Sequence, residues 1–240
     1  MERRIEEMTQ STSNARETIL ASIREHLAAS AEHDHRVAIH HSSPAATQPN
    51  GAPLVAPSRI DLFKTSLEAV NGHCVVARTE LEIVHALTRI ITELIHSQLN
   101  PRRIALSDAK PLERLVRLVA VQMDVTVAPS SSDLFDIDIG ITTAQAAIAE
   151  TGTLVLDSSR ERNRLISLVP PVHIAIVEAA NLHSTLGETL AALQSDDEIS
   201  PVVTFITGPS RTADIELTLA IGVHGPQELY VIIYDGPPLA

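Results

Sequence analysis

From residue 60 to the C-terminus, apolar runs alternate between strand length and helix length, and this alternation constrains the fold more than any other feature of the sequence. The runs VVTFI (202–206) and YVIIY (230–234) are almost continuously apolar, which is typical of strands covered on both sheet faces. The alternation predicts an α/β domain, a three-layer α/β/α Rossmann-like arrangement around a mostly parallel sheet. Because ligands of such sheets bind beyond the carboxyl ends of the strands, we expect a site in the loops that follow strands.

The individual elements follow from the period of each run. Strands are predicted at 73–77, 103–106, 125–128, 151–156, 172–177, 202–206 and 229–233. Helices are predicted at 79–99, 112–122, 142–149, 182–193 and 212–221.

The first 58 residues differ in character from the rest. Residues 14–29 place Ile19, Leu20, Ile23 and Leu27 on one face, which predicts an amphipathic helix. Residues 31–58 are rich in Ala, Ser and His and contain four prolines, which is typical of a mobile linker. We therefore predict a helix and a linker over residues 1–58 and an α/β domain over residues 59–240.

Four histidines of the predicted linker invite a metal-site interpretation, which the sequence does not favour. They lack cysteine partners and an organised scaffold, so adventitious metal binding is the better interpretation. These are His33, His35, His40 and His41.

The net charge of −12 lies in the second half of the chain, where residues 124–240 hold sixteen acidic and four basic side chains. An acidic surface with few aromatic residues excludes nucleic acid and anionic membrane as expected partners. No apolar run reaches the roughly 18 residues of a membrane span, and the N-terminus lacks a signal-peptide core, so we expect a cytoplasmic protein.

A single cysteine cannot hold an iron–sulfur cluster, which usually needs about four thiolates. The sequence also lacks the GxGxxG pattern of dinucleotide sites. We therefore expect no cofactor bound by this chain, so that any redox chemistry belongs to a partner or to a bound molecule.

The segment AETGT (149–153) is the first candidate site. Glu150, Thr151 and Thr153 surround Gly152, whose missing Cβ would let backbone amides approach a ligand. The same residues fit a glycine-assisted tight turn in which the hydroxyls satisfy the backbone.

The segment TGPSRTADIE (207–216) is the second candidate. It follows a predicted strand and opens a predicted helix, whose free N–H groups and dipole would bind an anion beside Arg211. Ser210 or Thr212 would cap that helix. Alternatively, Arg211 pairs with a nearby acid such as Asp214, and the acids complement the helix dipole.

The segment GVHGP (222–226) is the third candidate, with His224 as an acid–base or hydrogen-bonding group beside Gly225. A structural histidine at a helix end is the alternative. Arg160, Arg162 and Arg164 follow the strand at 151–156 and form either a ligand contact or a solvated loop.

Three stretches resemble the lactate-utilisation protein C family of LUD-domain proteins: AAIAETGTLVL (146–156), LISLVPPVHIAIV (165–177) and TGPSRTADIELTLAIGVHGPQELYVII (207–233). The pairing of GPSRTADIE with GVHGP at this spacing is the specific part of the resemblance. It implies a fold similar to the ribose-phosphate isomerase and CoA-transferase group, and a role in oxidising L-lactate to pyruvate beside iron–sulfur partner proteins. It identifies no catalytic residue.

Two functions therefore stay open. The chain is either a non-redox subunit that binds a small carboxylate or phosphate and assembles with iron–sulfur proteins, or an independent isomerase or CoA-transferase type of enzyme. A homodimer is compatible with both. The second function needs Glu150 as base or nucleophile, with its carboxylate free in a pocket. The catalytic candidates are Glu150 and His224. The predicted ligand-binding residues are Glu150, Thr151, Gly152, Thr153, Gly208, Ser210, Arg211, Thr212, Asp214, His224 and Gly225.

Overall fold

The computed structural model describes residues 20–22, 57–120, 123–159, 163–194, 200–213, 219–221 and 225–239. The chain divides into two compact units, Met1–Leu54 and Val55–Ala240, and the elements named below lie in the second. In the first unit, residues 20–22 are helical, within the predicted N-terminal helix.

In chain order, the strands are β1 (His73–Ala77), β2 (Arg103–Leu106), β3 (Asp124–Val127), β4 (Ile139–Ala144), β5 (Ala146–Ile148), β6 (Thr153–Asp157), β7 (Val172–Glu178), β8 (Leu182–His183), β9 (Val203–Ile206), β10 (Arg211–Ala213), β11 (Leu219–Ile221) and β12 (Glu228–Tyr234). The α-helices of this unit are α1 (Arg59–Ala69), α2 (Glu80–Ile95), α3 (Lys110–Arg117) and α4 (Leu186–Gln194).

The central sheet has six strands in the order β1-β12-β7-β4-β2-β3, and every neighbouring pair in it is parallel. A second sheet has the order β8-β5-β6-β9, with β6 antiparallel to both of its neighbours. Strands β10 and β11 form a separate antiparallel pair. The α/β class with a mostly parallel sheet is confirmed.

The two faces of the central sheet are covered differently. On one face, α2 and α3 pack their apolar residues, such as Leu87, Ile90 and Leu115, against the sheet. On the other face, Phe63 and Leu67 of α1 pack together with residues of β5 and β6. One outer layer is therefore helical, as predicted, whereas the other combines a helix with the small sheet.

Local sequence explains where the helices begin. Ser58 accepts a hydrogen bond from the Asp61 amide at 3.1 Å at the start of α1, and Thr79 accepts one from the Glu82 amide at 3.2 Å at the start of α2. These side chains satisfy amides that a helix leaves free at its first turn. Helix α1 was not among the predicted elements, although Ser58 and the spacing of Ile60, Phe63 and Leu67 indicate it.

The helix predicted at 142–149 is wrong, because residues 139–144 form β4 and residues 146–148 form β5. The alanines that favour a helix locally are here almost all buried between the two sheets. Gly140 on β4 lies so close to the Ile166 carbonyl that an added Cβ would come within 1.9 Å of its oxygen. Tight burial of small residues has overridden their helix propensity.

The helix predicted at 212–221 is also wrong at the residues described there, which form β10 and β11. Arg211 pairs with Ile221 and Ala213 with Leu219 in antiparallel register. A period-two alternation of Leu219 and Ile221 with polar or small neighbours is the signal that favours strands here.

Candidate functional site

Arg211 lies in a cleft of about 740 Å³ at the amino-terminal edge of β1 and β12. We call it the Arg211 cleft. Its walls come from the end of α1, the start of β1, the loop before β10 and the start of β12. The lining residues are Glu68, Asn71, Gly72, His73, Pro209, Arg211, Gln227 and Glu228.

The Arg211 side chain is exposed, and its Nη2 donates a hydrogen bond to the Val70 carbonyl at 2.9 Å. Within the described part of the chain, Arg211 forms no ion pair. One arm of the guanidinium, Nη2, is thus held by the backbone at the end of α1. The remaining N–H groups suit a carboxylate or phosphate oxygen.

On the other side of the Arg211 cleft, His73 stacks on Tyr230 with ring centroids 4.7 Å apart. His73 Nε2 lies 3.3 Å from Glu228 Oε2. Burial, aided by the charge of Glu228, raises the pKa of the Tyr230 phenol, which therefore stays neutral. Glu68 and Glu228 also line the cleft, and their carboxylates would repel a ligand that carries several anionic groups.

Two structural expectations behind the predicted anion site at Arg211 are wrong. Arg211 begins a strand, so the helix predicted to start at this point does not begin there. The loop follows β9 of the small sheet, which places the cleft at the amino-terminal edge of the central sheet instead of the carboxyl edge. The Ser210 amide donates a hydrogen bond to the Pro226 carbonyl at 2.8 Å, so it is not free for a ligand. The side chain of Thr212 lies outside the described residues.

The two segments AETGT and TGPSR do meet, through a chain of hydroxyl groups. Thr151 Oγ1 and Thr153 Oγ1 share a hydrogen bond at 2.7 Å, and Thr153 Oγ1 and Thr207 Oγ1 share another at 2.7 Å. Thr153 is buried, so the chain satisfies its hydroxyl. The contact fixes the turn between β5 and β6 to the end of β9.

Gly152 and Gly208 let the backbone of α1 approach, in place of a ligand. Gly152 has φ +63°, and a Cβ on it would lie 2.4 Å from the Leu67 nitrogen. Gly208 has φ +79°, and a Cβ there would lie 2.9 Å from the Val70 carbonyl oxygen. Both glycines are needed for positive φ and for close packing against α1.

Glu150 is exposed, and its Oε1 accepts a hydrogen bond from the Leu186 amide at 2.9 Å. Leu186 is the first residue of α4, so the carboxylate satisfies a free amide of that helix and complements its dipole. The Glu150 carbonyl in turn accepts a hydrogen bond from Ser66 Oγ at 3.2 Å. Glu150 therefore makes the contacts of a helix-capping residue.

The other predicted residues are placed as follows. Gly225 lies against Ser210, where an added Cβ would come within 3.0 Å of the Ser210 Cβ. Arg164 is exposed in a short 3-10 turn, Arg164–Ser167. Asp214, His224, Arg160, Arg162 and the four linker histidines lie outside the described residues.

Two further clefts lie at the carboxyl edge of the central sheet, and neither was predicted from the sequence. One, of about 450 Å³, is lined by Ser58, Arg59, Ile60, Glu178, Ala179, Ala180, Tyr234, Asp235, Gly236 and Pro238. The other, of about 290 Å³, is lined by Ala109, Pro111, Thr143, Ala144, Gln145, Ile176, Glu178, Asn181 and Leu239. An acid directly after the predicted strand 172–177 is the signal that would have found Glu178.

In the described ranges there is no group of three or more side chains suited to hold a metal ion. None of the helices in those ranges has the length and apolar character that a bilayer span requires.

The LUD domain family model matches residues 60–234, which include the lining of the Arg211 cleft, half of the residues lining the 450 Å³ cleft and all but Leu239 of those lining the 290 Å³ cleft. The chain belongs to the LUD-domain family. The resemblance inferred from AETGT, GPSRTADIE and GVHGP is confirmed at the level of the family.

Individual relatives match shorter stretches of this LUD-domain chain. An uncharacterized protein of Neisseria meningitidis serogroup B is 43% identical over 98 residues, covering 40% of this chain and 42% of that protein. Lactate utilization protein C of an Exiguobacterium strain is 42% identical over 129 residues, covering 45% of this chain and 56% of that protein. The chain thus spans about half the length of these curated relatives.

A solved structure shares the fold. The crystal structure of a DUF162 family protein from Deinococcus radiodurans superposes with a TM-score of 0.54 at 24% identity, covering 74% of this chain and 99% of that one. At this identity the match establishes the α/β architecture and nothing about ligands.

Proposed function

We propose that this LUD-domain chain is a non-redox subunit of a system that oxidises L-lactate to pyruvate. In this proposal it works beside iron–sulfur partner proteins, binds no cofactor of its own and holds a small carboxylate or phosphate. The observation that carries the proposal is that relatives named lactate utilization protein C are 34–42% identical over their matched stretches. A single cysteine, half-buried on β1, agrees with clusters held by other chains.

The Arg211 cleft supports the binding part of the proposal. The Arg211 guanidinium donates one hydrogen bond to the Val70 carbonyl and forms no ion pair with a described acid. Its other N–H groups can therefore donate to a bound carboxylate. Glu68 and Glu228 restrict the cleft to a ligand with one anionic group, which matches lactate and pyruvate better than a diacid.

Growth of the native host tests the functional part. Deleting the gene should abolish growth on L-lactate and leave growth on pyruvate unchanged, because the block lies before pyruvate. The full-length gene should restore growth on L-lactate, and co-purification from these cells should recover cysteine-rich iron–sulfur proteins. Normal growth of the deletion strain on L-lactate would contradict the proposal.

Calorimetric titration with L-lactate, pyruvate and phosphate tests the binding part. Arg211→Lys keeps the charge but loses the planar fork, and we expect it to weaken binding by roughly 1–3 kcal/mol. Arg164→Lys is the matched control, since Arg164 is exposed and lies outside the cleft lining. Equal affinity of the parent, Arg211→Lys and Arg211→Ala for every anion that the parent binds would show that Arg211 is structural.

The second candidate function, an independent isomerase or CoA-transferase type of enzyme, rests on Glu150. Its carboxylate accepts the Leu186 amide at the start of α4, which favours a capping role over a nucleophile or base. Glu150→Gln preserves an acceptor for that amide while removing the charge. Under the subunit proposal this variant supports growth on L-lactate like the parent, whereas a catalytic carboxylate would make it inactive with an unchanged melting temperature.

A further inference from the structure

Strand β9 lies at one edge of the small sheet, and among the described strands it pairs with β6 alone. The Ser158 amide donates a hydrogen bond to the Val202 carbonyl at 3.1 Å, on the β6 side. Because successive residues of a strand point their backbone groups to opposite sides, Thr204 also faces β6, whereas Val203 and Phe205 face away from it. These two residues therefore present N–H and C=O groups that no described strand uses.

The edge lacks the features that usually keep one edge strand from pairing with another, namely lysine, an internal proline or a β-bulge. β9 contains neither lysine nor proline, and its register with β6 is unbroken from Val203 to Ile206. Phe205 lies opposite Val155 of β6 and is 43% exposed. Outward backbone groups next to an exposed aromatic side chain suit the addition of a further strand.

The distribution of charge indicates which strand can pair there. Residues 201–209 contain no charged side chain, although residues 124–240 hold sixteen acidic and four basic ones. Two copies of a chain with net charge −12 repel each other, so they meet at the lowest cost where both surfaces are uncharged. The β9 edge of a second copy meets this condition, and in antiparallel orientation it supplies matching donors and acceptors.

The two-fold symmetry of such a pair sets its register. If Val203 lies opposite Phe205 of the second copy, the outward backbone groups of both residues are used, and an aromatic side chain packs against a β-branched one. Thr204 then lies opposite its own counterpart on the other face, where the hydroxyl groups can share a hydrogen bond. If Val203 instead lay opposite its own counterpart, Phe205 would face Pro201, which has no N–H to donate.

We propose that two copies of this chain associate through β9, with the two strands antiparallel and the two small sheets joined into one continuous sheet. A stable interface usually takes about 20–30 residues a side, and a pair of short strands is far smaller, so the dimer dissociates with a Kd above about 1 µM. The dimer is independent of the lactate proposal, because β9 contributes no residue to the lining of the Arg211 cleft.

Sedimentation equilibrium of the full chain between about 10 µM and about 1 mM tests the proposal. We expect the mean mass to rise with concentration from the 25.9 kDa of one chain towards twice that value. Phe205→Pro removes an outward N–H, leaves the hydrogen bonds to β6 in place and should stay monomeric throughout. Phe205→Lys should weaken association at least about tenfold, because two aromatic contacts are lost and two like charges approach each other.

Two control variants show whether a loss of association is specific to β9. Phe135→Lys changes another aromatic residue, 81% exposed in the 3-10 turn Asp133–Asp136, and should associate like the parent. Phe205→Tyr keeps both the ring and the backbone donor and should also associate like the parent. The melting temperatures of Phe205→Lys and Phe205→Tyr should agree with that of the parent, since the side chain at this position is exposed.

Amide hydrogen exchange locates the contact within the strand. In dilute protein the Val203 and Phe205 amides should exchange rapidly and the Thr204 amide slowly, whereas at about 1 mM all three should exchange slowly. The mass of a single chain up to about 1 mM, association that Phe205→Pro and Phe205→Lys leave unchanged, or Val203 and Phe205 amides that stay fast in the associated protein would overturn the proposal.

Discussion

Gly152→Ala tests the idea that the AETGT turn is shaped by packing against α1. A Cβ at this position would lie 2.4 Å from the nitrogen and 2.6 Å from the Cα of Leu67, and 2.8 Å from the Ser66 carbonyl carbon. All three atoms belong to the backbone of α1, so no side-chain rotation relieves the clash. Since Phe63 and Leu67 are fully buried, displacing α1 disturbs the core as well as the turn.

The expected cost is the sum of two effects. An alanine at φ +63° costs about 1 kcal/mol relative to glycine, and forced overpacking costs about 1–3 kcal/mol more. A loss of about 3 kcal/mol corresponds to a melting temperature lower by roughly 6–12 °C for a domain of this size.

Urea denaturation followed by circular dichroism measures this loss directly. Gly187→Ala is the matched control, because the nearest atom to its added Cβ is Thr185 Oγ1 at 3.8 Å and the residue lies in α4. We expect that control to be neutral or slightly stabilising, since alanine favours helix. If Gly152→Ala stays within about 0.5 kcal/mol of the parent, the close approach of α1 is not what selects glycine there.

Three further outcomes are expected. Burial lowers the pKa of His173 to about 3, so between about pH 6.5 and pH 3 only the unfolded chain binds a proton at this histidine. The free energy of unfolding should therefore fall by up to about 1.4 kcal/mol for each pH unit as the pH decreases towards 3. His173→Leu should reduce this pH dependence in acid titrations followed by circular dichroism. Burial raises the pKa of Cys74 to about 12, so Ellman's reagent at pH 8 should react at least about tenfold faster in urea than with the native protein, and equal rates would contradict this. Deleting residues 1–56 should change the melting temperature of the remaining chain by no more than a few degrees, because the described core clusters begin at Ile60; an insoluble product would show that the core extends into the tail.

Most of the central sheet was predictable from sequence because its strands carry a signal that does not depend on context. β1 and β2 were predicted at their observed bounds, and β3, β7 and β12 lie within two residues of theirs. The nearly continuous apolar run of β12 lies inside the covered parallel sheet, as predicted. The similar run VVTFI was predicted to be covered in the same way, but it forms β9 at the edge of the small sheet, where Phe205 is exposed.

The small sheet and β4 were harder to predict, because these strands depend on contacts distant in sequence. Residues 142–149 are rich in alanine and favour a helix in isolation, yet β4 and β5 are held by neighbours on two different sheets. The edge of the sheet at which Arg211 lies was predicted wrongly for a related reason. Because the predicted strand at 202–206 is β9 of the small sheet, the loop that carries Arg211 lies at the amino-terminal edge of the central sheet, whereas Glu178 ends β7 at the carboxyl edge.

Helix α1 connects the segments that sequence analysis singled out separately. Ser66 of α1 donates a hydrogen bond to the Glu150 carbonyl, and the backbone of Leu67 lies against Gly152. Val70 is the C-cap residue of α1; its carbonyl accepts a hydrogen bond from Arg211, and it packs against Gly208. AETGT and TGPSR therefore share one packing partner, which accounts for their glycines without a ligand. What packing does not use is the outward part of the Arg211 guanidinium, and an anion in that cleft would be held against the end of α1.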